Sequence, residues 1–188
     1  MNDYCIDLTL GMAPLRDGID LTKFPVMPFV SITEELLNPD LVKILSDLGL
    51  KINVCVMFIL ASNSENDIHN DLPVENGDVA KINWSYGSDH LMKWYRIRED
   101  RKSASVKRPD YTGGTNANAG HFYYPPKSVE LIHSQTVGFP SLIQAGIPHN
   151  VENFQGLRRC ISIPLLRNST NIPVTMAEAK QMFAQYLG

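Results

Sequence analysis

The chain is poor in cysteine: Cys5, Cys55 and Cys160 are an odd set of three in 188 residues, with no CxxC pair. That excludes a disulfide framework and a thiolate zinc knuckle. Cys55 and Cys160 lie in apolar runs and read as small core residues, and a reducing compartment suits them. An excess of charge is also missing, with 17 Lys and Arg against 20 Asp and Glu. No electrostatic grip on nucleic acid or an anionic membrane is therefore expected. The longest apolar run, residues 54–61, is far too short to span a bilayer. No basic segment precedes an apolar one at the N-terminus, so no signal peptide is expected and the chain reads as cytoplasmic. No internal repeat is visible.

What is present is the material of one domain over residues 1–188, with 44% apolar residues to build a core. Residues 1–50 read as an N-terminal arm and a helix. Pro14, Gly18, Pro25 and Pro28 cut the arm into pieces that suit one or two edge strands. Asn38-Pro39 is an N-cap followed by proline at the first helical position. Leu41, Ile44, Leu45 and Leu48 follow at helical spacing, and Gly49 stops the helix. Residues 51–166 then change period. Strands are expected over 51–61, 78–86, 88–97, 129–137, 140–144, 147–153 and 158–166, separated by Gly- and Asn-rich turns. A C-terminal helix over 175–187 opens on a capping box, Thr175 with Glu178. Both helices are expected to buttress the outside of one sheet. The polar stretch 98–124 breaks the rhythm and reads as a long loop.

Three residues suggest a metal. His69 and Asp71 are one residue apart, and in extended backbone i and i+2 point the same way. An HxD arises readily by chance, and the competing reading is a capped turn, since Asn66, Asp67 and Asn70 are turn formers. His149 shares a strand face with Ile147 and Val151, where a lone histidine is often only a core residue. Taken together, two histidines and one carboxylate make a facial triad, the donor set of non-haem iron(II). Arg159 follows His149 by ten residues, across the turn at Gln155-Gly156. An arginine on a strand of Ile161 and Ile163 needs an anion, and its fork fits a carboxylate. A one-residue slip would turn Arg158, Cys160 and Ser162 inward instead. Arg159 is favoured because Ile161 and Ile163 are the better core residues.

In order and spacing this pattern resembles the iron(II)/2-oxoglutarate-dependent dioxygenases, and within them the compact aspartyl/prolyl hydroxylase type. The resemblance covers residues 50–166 and rests on His69-Asn70-Asp71, on His149 and on Arg159. Flanking phrases are also similar: Ala80-Lys81-Ile82-Asn83-Trp84, Trp94-Tyr95, Pro140-Ser141-Leu142-Ile143 and the sequence around Pro148-His149. The resemblance implies an all-β core, a double-stranded β-helix (jelly roll) with flanking N- and C-terminal α-helices. It implies catalytic and metal ligands His69, Asp71 and His149, Fe(II) as cofactor and 2-oxoglutarate as co-substrate. Arg159 would hold the far carboxylate of 2-oxoglutarate, with Asn83 and Tyr95 as candidates for its other end. Hydroxylation of an unidentified substrate would follow, with release of succinate and CO2. An Arg-x-Ser pair found in part of the superfamily is absent here, because Ile161 stands in its place, and Arg158 stays open as the anchor.

Two other readings are open. A cupin-like metalloprotein would keep the histidines and not use 2-oxoglutarate, and a metal-free jelly-roll binding or structural protein would use His69 and Asp71 only to cap a turn. The expected partners are the small-molecule co-substrate and a substrate, with no nucleic acid or membrane; pairing of sheet edges would suit a homo-oligomer. The 98–124 loop could close over the substrate, with Arg96, Arg98, Arg101, Lys102, Lys107 and Arg108 meeting an acidic or phosphorylated one, or it could simply be solvated, those charges serving solubility. His90, His121 and His133 have no partner at ligand spacing and read as structural or surface residues.

Overall fold

The computed structural model describes residues 4–71, 78–87, 89–100, 106–108, 121–138 and 140–188. In chain order the elements are β1 (Cys5–Asp7), β2 (Phe29–Ile32), α1 (Pro39–Asp47), β3 (Leu50–Lys51), β4 (Cys55–Leu60), β5 (Ser64–Glu65) and β6 (His69–Asn70). Then come β7 (Ala80–Tyr86), β8 (His90–Ile97), β9 (Val106–Arg108), β10 (His121–Tyr123) and β11 (Val129–Gln135). The chain closes with β12 (Ser141–Gln144), β13 (His149–Asn153), β14 (Arg158–Pro164), β15 (Leu166–Arg167) and α2 (Met176–Met182).

The fold is mostly β, and its sheets are antiparallel. One large sheet has the order β1-β12-β7-β14-β4-β2, the other β11-β8-β13-β6-β10-β9 with β5 on β13, and β15 and β3 form a separate two-stranded sheet. The arrangement is consistent with a β-sandwich. The arm supplies β1 and β2, the two edges of the first sheet, as its proline-cut pieces suggest.

The first sheet is buried on both faces, but the faces differ in chemistry. Ser162 pairs with Asn83 and Cys160 with Ser85, so the polar members of β7 and β14 share one face. Ile161 pairs with Trp84 and Ile163 with Ile82 on the other. That apolar face joins Leu41, Leu45, Ala179 and Phe183 of the helices and their flanks in the main core cluster. The helices thus cover the outside of this sheet, and the polar face looks into the sandwich. Asn38 caps α1 by accepting from the Asp40 N–H, with Pro39 at its start, and Gly49 takes φ 72° just past its end, a left-handed turn that glycine adopts without strain. The capping box on α2 is present in both directions, and Asp78 also accepts from the Met176 N–H at 2.7 Å. Trading such a cap for alanine costs about 1 kcal/mol.

The stretch 98–124 departs from the expected plain loop. Val106–Arg108 and His121–Tyr123 pair as strands, and β10 pairs with β6, setting Tyr123 opposite His69. A short β6 with open hydrogen-bonding groups is a template for that pairing. The remainder of the expected loop, 101–105 and 109–120, lies outside the described residues. Among the described residues no helix is long and apolar enough to cross a membrane. All three cysteines are free and buried, and burial pushes the thiols of Cys5 and Cys55 up to about 12.

Candidate metal centre

His69, Asp71 and His149 come together, their donor atoms all within 4.8 Å of one another, as a group that could hold a metal ion. His69 Nε2 lies 3.6 Å from Asp71 Oδ1 and His149 Nε2 3.7 Å from Asp71 Oδ2. Local structure explains the convergence. His69 and His149 are paired residues on adjacent strands, so both rings leave the same face, with centroids 4.7 Å apart. Asp71 follows His69 by two residues, and its N–H is tied to the Ala145 carbonyl at 2.9 Å.

The imidazoles are held by backbone carbonyls: His69 Nδ1 meets the Asp67 carbonyl at 2.7 Å and His149 Nδ1 the Ile147 carbonyl at 2.9 Å. A carbonyl only accepts, so each neutral ring must carry its proton on Nδ1 and present the Nε2 lone pair toward the cluster. This is how metal-ligating histidines are ordinarily oriented. Burial, then the neighbouring His69, lower the pKa of His149 to about 4, against the opposing pull of Asp71. His149 is therefore neutral, as a ligand must be.

A scaffold of asparagines keeps the histidine strands in place. Asn66 Oδ1 accepts from the Val151 N–H at 2.5 Å, and Asn150 Nδ2 donates to Glu65 at 2.7 Å, fastening the turn before His69 onto β13. Asn70 donates to the Gly146 carbonyl, and fully buried Asn153 reaches the carbonyls of Leu60, Ala61 and Gly156. The sequence reading took Asn70 only for a turn former and assigned no role to Asn150 or Asn153. Their one signal is the repeated asparagine in a strand otherwise expected to favour β-branched residues.

A cavity of about 470 Å³ adjoins the cluster, lined from both sheets. On the first sheet its wall includes Lys81, Asn83, Arg158, Cys160 and Ser162. Asn83 is where the sequence reading puts it, 8% exposed, and its Oδ1 is buried with no hydrogen-bond partner. Two expected site residues are not in this wall. Arg159, the favoured anchor, leaves the sheet on the opposite face with Ile161. It is half-buried and stands near Asp20, whose carboxyl is held below its ordinary value by Thr22 first, with Lys23 and Arg159 adding. The arginine facing the cavity is Arg158, 3% exposed. The register slipped because the isoleucine face is the one under the helices, not the interior. Tyr95 is likewise on the outer face of β8, opposite to Met92 and Trp94, with its hydroxyl on Asn150 Oδ1 at 3.0 Å.

Arg158 has no carboxylate partner among the described residues. Its Nη2 donates to Ser85 Oγ at 2.8 Å, and its buried Nε has no partner. A guanidinium so placed is costly without an anion. A second cation went unnoticed in the sequence: Lys81, 7% exposed, has its Nζ 2.5 Å from Asp71 Oδ2. Cys160, read as a core residue, is part of the cavity wall, and Ser85 Oγ lies 3.6 Å from its Sγ. His90 is buried, and His133 stacks on Tyr4 with its Nε2 2.9 Å from Gln135 Oε1. The side chain of His121 lies outside the described residues.

No family model matches the chain, and no curated protein matches it. Among solved structures it is similar to peruvianin-I, a cysteine peptidase from Thevetia peruviana latex. The two are 15% identical, with 92% of this chain and 78% of that chain covered and a TM-score of 0.35. A likeness this slight carries no argument about the chain.

Proposed function

We propose that the protein is an iron(II)- and 2-oxoglutarate-dependent oxygenase on a double-stranded β-helix. The observation that carries the reading is a facial His69–Asp71–His149 group opening onto the same cavity as a buried arginine that has no carboxylate partner among the described residues. Strand order supports the fold. With β4, β6, β7, β8, β11, β12, β13 and β14 taken as successive strands, the sheets run sixth-third-eighth-first and fifth-fourth-seventh-second. Two interleaved Greek keys produce that order.

The donor set fits iron(II): two neutral imidazoles, each oriented through Nδ1, and one carboxylate. Iron bound there would supply the activation of dioxygen. The reaction is substrate, 2-oxoglutarate and O2 going to hydroxylated substrate, succinate and CO2. In it Arg158, in place of the expected Arg159, holds the distal carboxylate of 2-oxoglutarate, with Ser85 fixing the guanidinium. Asn83, on the same wall, would turn its amide N–H groups to the polar end of the co-substrate. Apolar Phe29, Phe58 and Leu60 at the cavity exclude water from the reacting atoms.

The test is calorimetric binding of 2-oxoglutarate to Mn(II)-loaded protein. Arg158→Gln weakens it at least tenfold, on the scale of one lost charge-assisted pair, and leaves Mn(II) affinity unchanged, whereas Arg159→Gln binds as the wild type. Equal binding by Arg158→Gln and the wild type removes the anchor, and with it the case for 2-oxoglutarate over a cupin-like metalloprotein.

A further inference from the structure

Lys81 is a cation 7% exposed on a cavity wall, so its position must be compensated. The compensation comes from Asp71, through Oδ2, at 2.5 Å. β7 fixes this geometry. Lys81, Asn83 and Ser85 occupy alternate positions facing inward, and Lys81 sits opposite Ile143 of β12, the strand that leads to the Ala145 carbonyl holding the Asp71 N–H. The carboxylate is thus held at its backbone by one end of β12 and at one oxygen by the adjacent strand.

A carboxylate beside a metal can give one oxygen or two. Two would fill a coordination position that an oxygenase must leave for its co-substrate or for oxygen. An ammonium on Oδ2 prevents that: the oxygen is engaged, and a second cation beside it repels the metal from that side. Oδ1, 3.6 Å from His69 Nε2, is then the donor. We infer that Lys81 is a positioning residue that keeps Asp71 a one-oxygen ligand, giving up metal affinity to keep the open coordination face. The inference rests on the metal reading of His69, Asp71 and His149.

This role and a merely structural one differ in sign. If Lys81 only braces the site, its removal loosens the ligands and weakens metal binding. If it restrains Asp71, its removal tightens binding and expels a water ligand. The experiment is Mn(II) titration of the full chain, followed by EPR, with bound water counted by water-proton relaxation. Lys81→Met binds Mn(II) about tenfold more tightly than the wild type, since a repelling charge is gone and an oxygen is gained, and it carries one metal-bound water fewer. Lys81→Arg keeps the wild-type affinity and water count. Should Lys81→Met not fold, Lys81→Gln retains a donor for the buried carboxylate and tests the affinity alone, with tighter binding expected. Unchanged or weaker binding with an unchanged water count overturns the inference while leaving the metal centre standing. Failure of the wild type to bind Mn(II) stoichiometrically overturns both.

Discussion

Arg158 Nη2 donates to Ser85 Oγ at 2.8 Å, and among the described residues that hydroxyl is the side-chain partner of a guanidinium 3% exposed. One hydroxyl does not repay the desolvation of a cation. Arg158→Met is therefore expected to stabilise the free protein against urea by roughly 1–3 kcal/mol, as when buried charges give way to apolar groups of similar volume. The same change abolishes the stabilisation that 2-oxoglutarate confers on the metal-loaded wild type. Ser85→Ala has the opposite effect on stability, because it strips the arginine of its partner and keeps the charge.

His149 sets a pH dependence in the metal-free protein. Its pKa falls from 6.5 in the unfolded chain to about 4 in the fold. Between these values the unfolded chain holds a proton that the native state refuses, so stability is full above pH 6.5 and is lost as pH falls toward 4. Chelator-treated wild type is expected to lose about 2 kcal/mol more than His149→Gln between pH 7.5 and 4.5. Urea unfolding at the two pH values measures the difference, and equal losses in the two proteins would show that His149 is not buried neutral.

Asn153 concentrates the scaffold of the site, with Nδ2 at 3.2 Å from the Leu60 carbonyl, 2.8 Å from that of Ala61 and 2.9 Å from that of Gly156. Asn153→Ala removes the two buried N–H donors that these three carbonyls share and costs about 1–3 kcal/mol, the worth of two net hydrogen bonds. Asn153→Asp keeps the shape without the donor and costs at least as much. Thermal unfolding followed by circular dichroism checks both, and a neutral Asn153→Asp would remove this residue from the account.

The parts of the site that were readable in the sequence are those that local geometry dictates. The His69-x-Asp71 spacing pointed to convergence because alternate residues of extended chain point alike, and the two do converge although β6 ends at Asn70 and Asp71 lies in a bend; α1 and α2 announce their caps at Asn38 and Thr175. Asn83 stood out as a polar residue in an apolar strand. Arg158 was not readable, because β14 is buried on both faces and has no polar side to set its register; β8 does alternate, with Lys93 and Tyr95 on its half-buried side, so the outward position of Tyr95 was legible and was missed. Ile161 and Ile163 marked the core correctly, but that core is the layer beneath the helices. Lys81 was hidden for a related reason: its partner Asp71 is ten residues away, and only the pairing of β7 with β12 and the course of the backbone through Ala145 bring the two together.

The most direct measurement is anaerobic titration of the metal-free protein with iron(II) and then with 2-oxoglutarate, followed by visible absorption. The account predicts one iron per chain, a weak charge-transfer band on addition of 2-oxoglutarate, and loss of that band in His149→Ala. Iron binding without the band would contradict the use of 2-oxoglutarate, and failure to bind iron at all would contradict the metal centre itself.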